Sequence, residues 1–186
     1  MRVVYYTAMT LDGFLATEDH SLEWLFPHDI DQSGPGGLEP FIGSVGAIVM
    51  GANTYAWLQE HGEAEQPGGD PWPYDVPAWV LTHRDLAPFP GKDIRITAAG
   101  VEQVYADAAA AAGDRDLWVV GGGGIAAQFA AHGLLDEVQV AIAPVTIGAG
   151  TPLLPAHVEL RLESAHRNRD FVVATYAVLG SDRPED

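Results

Sequence analysis

Cysteine is absent from this 186-residue chain. That removes disulfides, thiolate nucleophiles and thiolate metal sites from consideration. Positive charge is scarce: nine Lys and Arg stand against 26 Asp and Glu, for a formal net charge of −17. So acidic a surface repels phosphodiester backbones and anionic lipid, so no nucleic acid and no membrane is an expected partner. Solubility is the simplest reading of the charge. No apolar run reaches the ~18–20 residues of a membrane helix, and residues 1–6 lack a small-residue cleavage site. The expected location is the cytoplasm. The seven histidines are scattered, with no H-x-x-x-H or H-E-x-x-H, so no metal site is expected. A P-loop is missing, and Gly43-Ser44-Val45-Gly46 has the wrong spacing for a nucleophile elbow.

What is present describes a globular chain, 47% hydrophobic and 19% charged. Its length accommodates one sizeable core. Residues 1–180 read as a single domain and residues 181–186 as a frayed tail. Strand signals fall at residues 3–7, 47–50, 78–81, 93–97, 117–120, 138–143, 159–163 and 171–179. Helix signals fall at 38–45, then from Asn53 or Thr54 to Glu60 with His61-Gly62 as the stop. A third helix is expected from Val101, where Val104, Tyr105 and Ala108 keep the amphipathic spacing, to Gly113. A fourth follows the glycines near 121–124 and ends at His132-Gly133. Residues 17–37 read as a loop. Residues 62–77, with four prolines and three glycines, read as a surface loop or a lid. Strand–helix alternation closed by a β-β hairpin predicts a three-layer α/β/α domain. Its sheet is mixed and mostly parallel, with a C-terminal antiparallel hairpin.

The stretch Leu117-Trp118-Val119-Val120-Gly121-Gly122-Gly123-Gly124-Ile125 runs from a buried strand through four glycines into a helix. Glycine lets a ligand approach the backbone closely, and a helix start offers N–H groups to an anion. A seat for a phosphate-bearing cofactor and a tight turn that binds nothing both fit this pattern. Gly121-x-Gly123-x-x-Ala126 formally matches the dinucleotide fingerprint. However, the acidic residue expected ~20 positions on, at the end of the next strand, is missing. The match also lies two-thirds along the chain, so a classical Rossmann unit is rejected while phosphate binding is kept.

Five motifs, in order, resemble the dihydrofolate reductase-like superfamily, and within it the RibD C-terminal branch. They are Thr10-Leu11-Asp12-Gly13-Phe14-Leu15-Ala16, Val49-Met50-Gly51-Ala52-Asn53-Thr54-Tyr55, the glycine loop, Leu134-Leu135-Asp136-Glu137, and Pro144-Val145-Thr146-Ile147-Gly148-Ala149-Gly150-Thr151-Pro152-Leu153-Leu154. The resemblance implies a dihydrofolate reductase-like fold, NADPH as cofactor and a homodimer. It implies that the pyrophosphate rests on Gly121, Gly122, Gly123, Gly124 and Ile125. Gly51, Asn53 and Thr54 would open a second helix against the cofactor, and Ala8 would meet it as well. Thr82, His83 and Arg84 would meet its 2′-phosphate, which arginine grips bidentately. Ala52 stands where many members carry a cation, which makes NADH the alternative cofactor.

The implied activity is hydride transfer to a C=N or C=O of a small, pteridine- or aminopyrimidine-like substrate. Proton donors to consider are Asp12, Glu39, Asp29 or a water, and Trp24 and Trp57 are candidate walls for a planar ring. The branch's carboxylates are missing after Thr54 and before the glycines. That favours a second reading, a non-catalytic nucleotide-binding module that retains the fold.

Overall fold

Ala47-Ile48-Val49-Met50 and Leu117-Trp118-Val119 are buried at every position, which requires a strand covered on both faces. The computed structural model of the chain describes residues 1–65 and 70–180 and builds the molecule outward from these runs. The tail expected at 181–186 and part of the loop expected at 62–77 lie outside the described residues.

The elements are β1 (Val3–Thr10), β2 (Phe14–Ala16), α1 (Leu38–Ile42), β3 (Val45–Gly51), α2 (Ala52–Glu65), β4 (Ala78–Leu81) and β5 (Ile94–Thr97). There follow α3 (Val101–Ala112), β6 (Asp116–Gly121), α4 (Gly123–Ala131), β7 (Glu137–Ala143), β8 (Thr151–Pro152), β9 (Leu160–Asn168) and β10 (Phe171–Val178). Eight strands form one sheet in the order β5-β4-β3-β6-β1-β7-β10-β9. The first six are parallel, while β10 lies antiparallel between β7 and β9. This is the mixed sheet with an antiparallel C-terminal hairpin that the residue pattern predicts.

Alternation along the strands builds two cores. Val3, Tyr5, Val49 and Val119 face α3 and α4, where they meet Val104, Ala108, Ala126 and Phe129. Val4, Tyr6, Ile48, Met50 and Trp118 face α1 and α2, where they meet Phe41, Tyr55 and Leu58. Each such side chain, taken from water, stabilises the fold by about 1.5–3 kcal/mol. A third cluster, Trp24 with Ala141, Ala143, Phe171 and Val173, fixes the 17–37 loop against β7 and β10.

The structure corrects several expectations. β2 and β8 are small strands that pair with each other, in stretches read as turn and loop. The first helix ends at Ile42, and Val45 opens β3 instead. Gly62 does not stop α2, which continues to Glu65. A Cβ on Gly62 would lie 2.3 Å from the Pro71 carbonyl oxygen, so this glycine permits a close chain approach inside the helix. Residues 70–77 are not a plain surface loop, because Trp72 is 2% exposed and Tyr74 and Val76 pack beside it. β9 extends to Asn168, so the hairpin turn is Arg169-Asp170. β9 is the sheet edge and is exposed almost throughout, more than its strict alternation suggests. Among the described residues no helix is long and apolar enough to cross a membrane.

Asn168, 2% exposed, holds the 17–37 loop to the hairpin. Its Oδ1 accepts the Asp31 N–H at 2.9 Å, and its Nδ2 donates to the carbonyls of Asp31 at 2.9 Å and Pro35 at 3.1 Å. Asn168→Ala leaves these buried backbone groups without partners. It should lower unfolding stability by about 2 kcal/mol, read by urea denaturation. A change below a few tenths would show that water replaces the amide.

Candidate active site

Because β1, β3, β4 and β6 are parallel, their carboxyl ends share one edge of the sheet. Ligands of open α/β sheets collect at such an edge. α2 begins at Ala52, directly after β3, and α4 at Gly123, one residue after β6. β3 and β6 are neighbours, so two helix N-termini open side by side. The first N–H groups of each have no partner within their own helix, and Gly122, which precedes α4, has no side chain to cap them. Such a pair of ends favours an anion.

The glycines divide by what a Cβ would meet. At Gly123 it would lie 2.3 Å from the Leu153 carbonyl oxygen and 2.6 Å from that of Pro152. At Gly121 it would lie 2.9 Å from Thr54 Oγ1, and at Gly51 3.3 Å from Ile125 Cγ1. These three let β3, β6, α4 and the loop after β8 close together. At Gly122 and Gly124 a Cβ would meet nothing within 4 Å. Gly122 also lines the cleft, so the space before its backbone is open. The Gly121-Gly122 peptide is cis.

The cleft has a volume of about 280 Å³. Thr7, Ala8, Asn53, Thr54, Val120, Gly121 and Gly122 line it from the strand ends and from α2. Leu15, Ala16, Leu22, Trp24, Leu25, Trp57, Leu58 and Tyr74 supply an apolar and aromatic surface, and His20 and Thr151 complete it. Among the described residues no Asp, Glu, Lys or Arg lines it. Burial pushes the Tyr74 phenol up to about 12, so it stays protonated at neutral pH.

Of the residues singled out from the sequence, Ala8, Asn53, Thr54, Gly121 and Gly122 meet at this cleft, with Trp24 and Trp57. Gly51, Gly123 and Ile125 pack immediately behind, and Gly124 is exposed on the first turn of α4. Thr82, His83 and Arg84 follow β4 at the same edge but do not line the cleft. There Thr82 Oγ1 accepts the Arg84 N–H at 2.9 Å, and the His83 and Arg84 side chains are exposed.

Asp12 and Glu39 are not brought into the cleft. The Asp12 carboxylate accepts the Thr10 hydroxyl at 2.6 Å and the N–H groups of Gly148 at 2.8 Å and Ile147 at 3.1 Å. The Thr10 bond leads in holding it below the usual carboxylate range. An acid so held is ionised at neutral pH and has no proton to give. It fastens the β1–β2 turn to the loop after β7. Glu39 points to solvent from α1. Asp29 pairs with Arg169 and donates its backbone N–H to the Asp170 carboxylate at 2.8 Å, a clamp outside the cleft lining.

Sequence reading missed His20. It stands at φ 66°, in the left-handed region. Its ring nitrogens lie 3.4 Å from Asn53 Nδ2 and 3.5 Å from Thr151 Oγ1, so it bridges the start of α2 and β8 across the cleft wall. No periodicity marks a loop histidine. The available sign was a titratable side chain shortly after the first strand. Leu15, Leu22, Leu25 and Tyr74 were also missed, since β2 and the 70–77 segment read as turn and loop.

The model of the RibD C-terminal domain family matches residues 2–169. The chain is 29% identical over 172 residues to the uncharacterised protein YwjB of Bacillus subtilis, covering 87% of this chain and 89% of YwjB. Its fold superposes with a TM-score of 0.78 on a putative riboflavin biosynthesis protein from Shewanella sp. PV-4, at 24% identity over 96% of this chain and 99% of the other. It superposes with a TM-score of 0.66 on a Thermotoga maritima diaminohydroxyphosphoribosylaminopyrimidine deaminase/5-amino-6-(5-phosphoribosylamino)uracil reductase. There the identity is 15%, over 95% of this chain and 56% of the other. The paired helix ends, the glycine cradle and a match across nearly the whole length agree: this chain belongs to the RibD C-terminal domain family, with its dihydrofolate reductase-like fold.

Proposed function

We propose that the chain is an NADPH-dependent reductase that transfers a hydride to a C=N or C=O of a small heterocyclic substrate. The observation that carries this reading is the open space before Gly122, between the N-termini of α2 and α4. A side chain would fill that space, and a phosphate-bearing cofactor fits it. Gly121, Gly122, Gly123, Gly124 and Ile125 would hold the pyrophosphate, with Ala8, Gly51, Asn53 and Thr54 beside it. The exposed Arg84, with Thr82 and His83, would meet a 2′-phosphate outside the cleft. When bound, the nicotinamide supplies the hydride. The chain's own contribution is to orient a planar ring between Trp24 and Trp57, to exclude water with leucines, and to hold a proton nearby. His20 is our candidate for that proton. Among the described residues it is the one imidazole in the cleft wall, and a positioned imidazole is the commonest general acid.

Thermal shift with each nucleotide tests the reading. NADPH should raise the melting temperature, and NADH should raise it less. Arg84→Ala should weaken NADPH by about tenfold, since a charge-assisted phosphate contact is worth about 1.5–3 kcal/mol, and should leave NADH unchanged. Equal NADPH affinity in that variant removes the phosphate assignment. If neither nucleotide shifts the melting curve, the cofactor reading fails.

Among the described residues the cleft wall has no carboxylate, which favours the second reading, a nucleotide-binding module without catalysis. The two separate when NADPH oxidation is followed against panels of pteridines and aminopyrimidinones. Turnover that His20→Ala slows supports the reductase. Nucleotide binding without turnover supports the module.

A further inference from the structure

Residues 70–77 bring to the cleft a hydroxyl group that the chain itself leaves unused. Along this segment Trp72 is buried, and Tyr74 and Val76 pack beside it, while Pro73 and Asp75 between them are exposed. Such alternation belongs to an extended chain whose even-numbered side chains turn inward. The Tyr74 ring stands edge-on to Trp72 at 5.1 Å and to Trp118 at 5.5 Å, centroid to centroid, and lines the cleft beside Trp57 and Leu58. Trp57 and Leu58 follow Asn53 and Thr54 by four residues, which is one turn of α2, or about 5.4 Å, further along the helix. Tyr74 is therefore beside the second turn of α2, past the helix start that favours an anion.

Three other tyrosines close their phenols on the backbone. Tyr5 donates to the Leu153 carbonyl, Tyr6 to that of Gly36 and Tyr55 to that of Ala87, each at 3.0 Å. Tyrosine hydroxyls inside a protein usually find such a partner. Among the described residues the Tyr74 hydroxyl has none. The one unpaired side-chain polar atom sealed from solvent there is Trp24 Nε1, so the unpaired Tyr74 oxygen keeps contact with open space. Its side chain is half-buried and turned inward, and the open space on that side is the cleft. With the phenol pushed up to about 12 by burial, the oxygen carries its proton at neutral pH and is a hydrogen-bond donor.

We propose that Tyr74 is a specificity-determining residue: its hydroxyl donates to a ring carbonyl or ring nitrogen of a planar heterocycle that lies against Trp57. The chemistry so selected is a flat ring with an in-plane acceptor, in preference to one that presents only N–H groups or hydrocarbon to this wall. Ligand clefts are mostly apolar and fix orientation through a few placed polar groups, and a donor left without its acceptor on binding costs affinity. The ring is a substrate only on the proposed reductase reading. The donor role of Tyr74 rests on its geometry.

The test is isothermal titration of the full chain, with and without saturating NADPH, using two planar bicycles. Lumazine carries ring carbonyls and is uncharged in mildly acidic buffer. Indole has no in-plane acceptor. Tyr74→Phe removes the hydroxyl and keeps the ring against Trp72 and Trp118. It should weaken lumazine about five- to tenfold, the loss of one hydrogen bond, and leave indole within about twofold of the parent. The melting temperature and the NADPH thermal shift should not change, because the hydroxyl has no partner in the chain to lose. Unchanged lumazine affinity in Tyr74→Phe overturns the proposal. So does an equal loss for lumazine and indole, which would report a disturbed wall and not a lost donor, and so does failure of lumazine to bind the parent at millimolar concentration. If NADPH leaves the parent's melting curve unmoved while Tyr74→Phe still weakens lumazine selectively, the reductase reading fails and the donor role of Tyr74 stands. If NADPH raises the melting temperature while lumazine binds both proteins alike, the donor role fails and the reductase reading stands.

Discussion

Gly122→Ala should abolish measurable NADPH binding while leaving the protein folded, and Gly123→Ala, one residue on, should do the reverse damage. At Gly122 the backbone is extended, with φ −80° and ψ 170°, which any L-residue adopts. A Cβ there meets nothing within 4 Å. The melting temperature should therefore stay within about 2 °C of the parent. The methyl group occupies the space in which the backbone would approach a pyrophosphate. A loss of at least about a hundredfold in affinity is expected, equivalent to about 2.8 kcal/mol. At Gly123 the added carbon would lie 2.3 and 2.6 Å from two backbone carbonyl oxygens. Backbone cannot swing aside as a side-chain tip can, so α4 or the loop after β8 must move. Overpacking of that kind costs about 3 kcal/mol, or about 6–12 °C in a chain of this size. Thermal melting and nucleotide titration on the two variants suffice. If Gly122→Ala binds NADPH as the parent does, the glycine cradle has been assigned wrongly. If both variants melt alike, the division of the glycines into packing and binding roles is wrong.

That division shows where residue patterns stop being informative. The four glycines are identical letters, and their separate duties depend on Leu153, Pro152 and Thr54, which pack from elsewhere in the chain. The layers, by contrast, were legible. Continuous apolar runs at β3 and β6 can only be buried strands, and Val101, Val104 and Ala108 can only face one way from α3. β2 and β8 were not legible because strands of three and two residues carry too little periodicity, and their pairing joins residues 14–16 to 151–152. Gly62 was misread for a related reason. A glycine near a helix end usually stops it, but here the glycine serves contact with Pro71. Of the site, the backbone half was readable from motifs, since glycine spacing constrains backbone. The side-chain half was not. His20, Leu22 and Tyr74 reach the cleft only through tertiary contacts. Asp12 was one of several proton-donor candidates, and only the tertiary contacts show three hydrogen bonds tethering its carboxylate to Thr10, Ile147 and Gly148.

Trp72→Ala should be the most destabilising single truncation in the chain, at about 3–5 kcal/mol, although Trp72 lies in the stretch with the strongest loop signature. Its ring sits 5.9 Å from Tyr55, 5.1 Å from Tyr74 and 5.4 Å from Phe89, centroid to centroid. Tyr55 in turn holds the chain after β4, donating its hydroxyl to the Ala87 carbonyl at 3.0 Å and accepting the Phe89 N–H at 3.2 Å. One indole therefore joins α2, the 70–77 segment and residues 86–89, and the neighbouring groups cannot collapse into its space without moving all three. Domains of this kind are stable by about 5–15 kcal/mol in total, so the loss is about a fifth or more of what holds the protein together. The effect should reach the cleft, because Tyr74 stacks edge-on between Trp72 and Trp118, 5.5 Å from the latter, and lines the cleft beside Trp57 and Leu58. Urea denaturation should show a lower midpoint with an unchanged slope, and ligand affinity should fall together with stability. Trp72→Phe keeps an aromatic ring at the centre of the cluster and should recover more than half of the loss. If Trp72→Ala unfolds within about 1 kcal/mol of the parent, residues 70–77 are the detachable loop that their prolines and glycines suggest, and the aromatic cluster is not what supports that wall of the cleft.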